Sequence, residues 1–120
     1  MKPFPKEHEL ISFFEGEPSL LDKGVPWTYN QLRFQVVVGE DHIVCEMAPA
    51  YEELTIRWDR AGTAIVDLQL YWVSGLVIEV DRNQETLVAK FRDRHLHDLR
   101  FRLRPNPHLA WSTDAEPIPK

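Results

Sequence analysis

Cysteine is nearly absent from this chain. Cys45 stands alone among 120 residues, so no internal disulfide can form, and a lone thiol suits a reducing compartment. Glycine is scarce as well. Its five copies fall in none of the glycine-rich frames that cradle phosphates. Ser12, Ser19, Ser74 and Ser112 lack the strand–turn–helix elbow of a nucleophilic serine, and no histidine sits in a glycine-rich frame. Long apolar runs are missing too, since nothing approaches the roughly 20 residues of a membrane span. The opening MKPFPKEHELISFFEG scatters its charges and has no signal-peptide core, which points to a soluble cytoplasmic protein.

A basic surplus is also missing. The formal net charge of −5 speaks against general nucleic-acid binding, which needs cations to neutralise phosphates. The charge is unevenly divided: residues 1–53 hold four basic and ten acidic side chains, residues 54–120 ten and nine. Between Val88 and His108 the balance turns basic, with six Lys or Arg against Asp93 and Asp98. Such a dipolar layout can orient a partner.

What is present is the composition of one globular domain, 1–120, with 43% hydrophobic and 28% charged residues. A chain of this length buries a real core without disulfides. Over residues 5–15 the pattern is helical. Pro5 suits a first turn, Glu7 and Glu9 face the positive end of the helix dipole, and Gly16 and Pro18 stop the run.

From residue 32 to 104 the period changes to two, and seven stretches put their apolar residues on one face. The sets are Phe34-Val36-Val38, Ile43-Cys45-Met47, Leu54-Ile56-Trp58, Val66-Leu68-Leu70-Trp72, Leu76-Ile78-Val80, Leu87-Ala89-Phe91 and Leu99-Phe101-Leu103. Ala61-Gly62 is a hairpin signal. Pro105, Pro107, Pro117 and Pro119 mark 105–120 as an irregular tail with an edge contact near Leu109–Trp111. A flat seven-strand sheet would be about 34 Å wide. One short helix, about 15 Å long, covers only part of that. The expected fold is therefore all-β and mainly antiparallel: a curled sheet forming a sandwich or half-open barrel, mostly meander, with an N-terminal helix.

Three groups of side chains stand out. Arg100, Arg102 and Arg104 share a strand face, and guanidinium is the group best suited to carboxylate or phosphate recognition. At about 7 Å spacing they repel by roughly 0.6 kcal/mol per neighbour in water, so partners are expected, including Asp67 and Glu79 on neighbouring strands. Tyr71, on the outward parity, joins them as a partner-binding candidate. In an extended segment Asp93, His95 and His97 would share a face with metal-ligand chemistry, short of a closing ligand except His42 or His108, and a polar loop between two strands explains them as well. Trp27, Tyr29 and Tyr51 lie outside the strand pattern, where aromatics line a ligand pocket, anchor an interface or seal the end of a sandwich. Cys45 shares parity with Ile43 and Met47 and reads as a buried hydrophobe. Glu52-Glu53 is an ordinary solvated pair.

These features call for no cofactor and point away from catalysis. They fit a non-catalytic module that binds a protein partner, in its concrete form an immunity- or antitoxin-type inhibitor: a rigid scaffold with a charged patch. Two other classes compete. One is a small-ligand carrier holding its ligand inside the curled sheet, and the other a metal-dependent enzyme built on His95 and His97. An open edge strand leaves room for a homodimer.

Overall fold

Two-residue turns build the long hairpins. Val38 pairs with Asp41 across Gly39-Glu40, Arg60 with Thr63 across Ala61-Gly62, and Asp81 with Gln84 across Arg82-Asn83. Ala61, Gly62, Arg82 and Asn83 all have positive φ, as turns that match the twist of the flanking strands require. The computed structural model describes residues 1–114. The alternating stretches become β2 (Leu32–Val38), β3 (Asp41–Ala48), β4 (Glu53–Arg60), β5 (Thr63–Leu70), β6 (Val73–Asp81), β7 (Gln84–Phe91) and β8 (Leu99–Arg102). Two short strands join them, β1 (Ser19–Leu20) and β9 (His108–Ala110). The latter lies in the proline-rich stretch read as irregular, at the expected edge contact; Pro117 and Pro119 lie outside the described residues.

The strands form two antiparallel sheets, in the order β1-β2-β3-β4-β5 and β6-β7-β8-β9. This is an open two-sheet meander, not a closed barrel. The inward residues of both sheets meet in one core with Leu32, Phe34, Ile43, Met47, Ile56, Leu76, Leu87 and Phe101 almost completely buried. Each such side chain contributes about 1.5–3 kcal/mol by leaving water.

The helix α1 (Glu7–Phe14) packs against β2 of the first sheet and against β6 and β7 of the second, so it closes the gap between them. Its Leu10, Phe13 and Phe14 are buried, and Phe14 stacks on Phe34 with 4.2 Å between centroids. At the helix start the Lys6 amide donates to Glu9 Oε1 at 2.9 Å, and at its end Glu15, at φ 53°, takes the left-handed position.

Val44 and Val88 are buried despite their outward parity, and two apolar residues of inward parity are exposed. β5 ends at Leu70, and Trp72, which carries the inward parity, is 67% exposed at φ 59°. The chain changes sheets there, two residues before Ser74-Gly75, and the reversal turns the indole outward. Val80 is also exposed, because it lies next to the Asp81–Gln84 turn, where β6 overhangs the core.

The free edge of β6 is covered by the chain's first residues. Lys2 N–H donates to Ser74 O and Leu76 N–H to Pro3 O, both at 2.8 Å. Gly75 permits this approach: a Cβ there would lie 2.9 Å from Lys2 O and from Pro3 Cδ.

Candidate functional site

The register row Leu32–Met47–Leu54–Leu70 marks one end of the first sheet. Three connections leave the sheet just beyond it: a 3-10 turn at Trp27–Tyr29, another at Pro49–Tyr51, and the crossing at Tyr71-Trp72. The turns at Ala61-Gly62 and Gly39-Glu40 lie at the opposite end. The meander thus gathers at one end aromatics that are 20 or more residues apart in sequence.

Trp27 and the tyrosines part ways there. Trp27 is half-buried and meets Phe34 edge-on at 6.2 Å, sealing the core. Tyr29 and Tyr51 are 74% and 77% exposed and flank a surface groove of about 470 Å³, which Leu21, Asp22, Asn30 and Glu53 help to line. The space between the sheets is filled by Phe13, Phe14, Phe34 and Phe101, so the two tyrosines front a groove on the outside.

Asn30 holds the groove's wall. It is buried, and its side-chain NH2 donates to Asp22 O at 2.5 Å and Val25 O at 2.9 Å. Its Oδ1 accepts from the amides of Asp22 and Gln31 at 3.2 and 2.9 Å. Four bonds from one buried amide fix the loop that presents Tyr29.

The second sheet joins this end through Glu52. Its carboxylate takes Arg92 Nε at 2.7 and 2.9 Å and also Arg92 Nη2, and its carbonyl accepts Val73 N–H at 2.9 Å. The Arg92 guanidinium beside it holds the Glu52 carboxyl below the usual range. Arg92 N–H in turn donates to Trp72 O at 3.1 Å, so the peptide joining Trp72 to Val73 is held on both sides. Tyr71 is exposed beside it.

The three arginines do not form one free face. Arg100 pairs with Glu79 at 2.6 Å. Arg102 is half-buried, and its Nε has no hydrogen-bond partner among the described residues. Arg104 lies past the end of β8 and turns to α1, where Nη2 donates to Phe13 O at 2.6 Å and Nε faces Glu15 Oε1 at 3.2 Å. Across β4 and β5, Arg57 and Asp67 pair at 3.6 Å.

Asp93, His95 and His97 lie in the loop between β7 and β8 and not on an extended segment. The Asp93 carboxylate accepts the His95 amide at 2.8 Å, which bends the chain into a turn. The His97 ring lies between Asp114, on Nε2, and Ser112 Oγ, 2.9 Å from Nδ1. Among the described residues, no three His, Cys, Asp or Glu side chains group as a metal site. Ser112, His97 and Asp114 are the residue types of a nucleophilic triad, but the side chains of His97 and Asp114 stay about half exposed. Their bonds, with His97 N–H to Ser112 O at 3.0 Å and Trp111 Nε1–H to His97 O at 3.0 Å, fasten the loop to the chain after β9.

Cys45 is fully buried, and burial pushes its thiol up to about 12. No helix among the described residues is long and apolar enough to cross a membrane.

Sequence reading missed Leu21, Asn30 and Trp72. The tandem Tyr71-Trp72 carried a signal, because adjacent residues of a strand face opposite sides. Both are exposed here because the chain leaves the sheet between β5 and β6.

No protein-family model matches the chain, and no curated protein matches it. Among solved structures it is similar to a chain of a contact-dependent growth inhibition toxin–immunity protein complex from Klebsiella pneumoniae 342. The TM-score is 0.79 at 18% identity, over 92% of this chain and 96% of that one. At that identity the likeness establishes a shared fold.

Proposed function

We propose that this chain is an immunity-type inhibitor, a non-catalytic cytoplasmic module that binds a toxin and blocks it. The observation that carries the reading is the likeness, nearly end to end, to a chain of a toxin–immunity protein complex. The side chains favour the immunity role in such a pair. The exposed aromatics are residue types that concentrate binding energy at interfaces. The acid excess of the N-terminal half suits a basic partner. A single thiol sealed inside the core suits a reducing compartment.

Capture from a lysate of the native source, followed by a toxicity assay, tests the proposal. One stoichiometric protein should be retained. Produced alone it should arrest growth, and co-production of this chain should restore it. A retained protein that is harmless, or whose toxicity this chain leaves untouched, would contradict the inhibitor role.

A further inference from the structure

The exposed apolar side chains at the aromatic end belong to a built surface. Leu21, Tyr29, Tyr51, Tyr71 and Trp72 are each more than half exposed. They sit on turns fixed from beneath by the four bonds of Asn30 and by the Glu52–Arg92 pair. Trp72 keeps a left-handed backbone unusual for a bulky side chain while its indole faces water.

The charge here has one sign where it lines the groove. Asp22 and Glu53 border it, and among the described residues no Lys or Arg does. The Asp22 carboxylate accepts the nearby Gly24 N–H, at 3.0 Å. Glu53 is exposed, whereas Glu52 beside it is already neutralised by Arg92. Two tyrosine faces beside two carboxylates make a receptor for a cation on an apolar stem, through cation–π attraction and charge-assisted hydrogen bonds.

We infer that the Tyr29–Tyr51 groove is the docking site for a basic segment of the protein partner, which places an arginine or lysine between the tyrosines and against Glu53. This rests on the inhibitor reading for the partner's identity, while the groove's preference for a cationic peptide can be tested by itself. Leu21, Tyr71 and Trp72 form the surrounding apolar contact.

The probe is a tetra-arginine peptide titrated into the isotope-labelled full chain and followed by amide chemical shifts, with tetra-glutamate as control. Saturable shifts confined to Asp22, Tyr29, Tyr51, Glu53 and their neighbours are expected with the basic peptide only. Glu53→Gln and Tyr51→Ala should each weaken them about tenfold while leaving Tm unchanged. Shifts spread over distant acids such as Glu7, Glu17 and Glu40, or none at all, would overturn the inference.

The captured toxin provides a second readout. Tyr29→Ala combined with Glu53→Lys should release it. If the toxin is retained equally by this variant, the groove is not its docking site and the inhibitor reading still stands. If even the wild type captures no toxin, the inhibitor reading fails, and the peptide titration alone decides the groove.

Discussion

Arg104 caps a helix it does not belong to: its guanidinium donates to Phe13 O at 2.6 Å, 91 residues away in sequence. The last turn of α1 contains no basic residue of its own, so Arg104 supplies the cation that the carbonyl end of a helix favours. Arg104→Ala should lower stability by about 1 kcal/mol. For a chain of this size that is a fall in Tm of roughly 3–6 °C. Arg100→Ala, which removes only an exposed pair with Glu79, should cost less than about 0.5 kcal/mol. Thermal melts of the two variants check the difference; equal losses would contradict it.

Acid should unfold the protein partly through Asp41. Its carboxylate accepts from Trp58 Nε1 and Arg60 Nε, both at 2.8 Å, and the Arg60 bond is the main reason its pKa is lowered. Glu52 is lowered in the same direction by Arg92. A carboxyl with a depressed folded pKa contributes fully above its unfolded value of about 4, and the contribution is lost as pH falls through the folded pKa. The urea midpoint should therefore hold steady down to about pH 5 and then drop. Asp41→Asn should lower the midpoint at pH 7 and flatten the decline; a variant that keeps the same acid limb would rule Asp41 out as its source.

Gly75 should tolerate no side chain. Gly75→Ala would push the Lys2–Pro3 segment off β6, at a cost of roughly 1–3 kcal/mol. The Leu76 amide, which donates to Pro3 O, should then exchange with solvent much faster, and hydrogen exchange reads this directly. Unchanged protection at Leu76 would show that the segment adapts.

Ala61 occupies a left-handed position that Asn adopts more readily. Ala61→Asn should raise stability by about 0.5–1 kcal/mol, seen as a higher Tm with no change in binding. The cross-turn bond from its amide to Glu40 O is backbone and survives the change.

The strands were legible because the core is two-sided and each strand offers it one face. Phe34, Ile43, Ile56, Leu87 and Phe101 all lie where their parity puts them. The change of sheet was not, because Trp72 keeps the apolar parity of β5 while the backbone has already turned away. Arg104 misled in the same way. It follows the parity of Arg100 and Arg102 but lies beyond the end of β8, so nothing holds it to that face. The groove was hidden for another reason. Tyr29 and Tyr51 are 22 residues apart, and only the pairing of β2 with β3 and of β3 with β4 brings their turns together.

The most direct measurement is a hydrogen-exchange footprint of this chain with and without the toxin partner proposed for it. Protection should concentrate on the turns carrying Tyr29, Tyr51 and Tyr71-Trp72, with the hairpin turns at Gly39-Glu40 and Ala61-Gly62 unchanged. Protection centred on those hairpin turns or on β8, with the aromatic end still exchanging freely, would contradict the account.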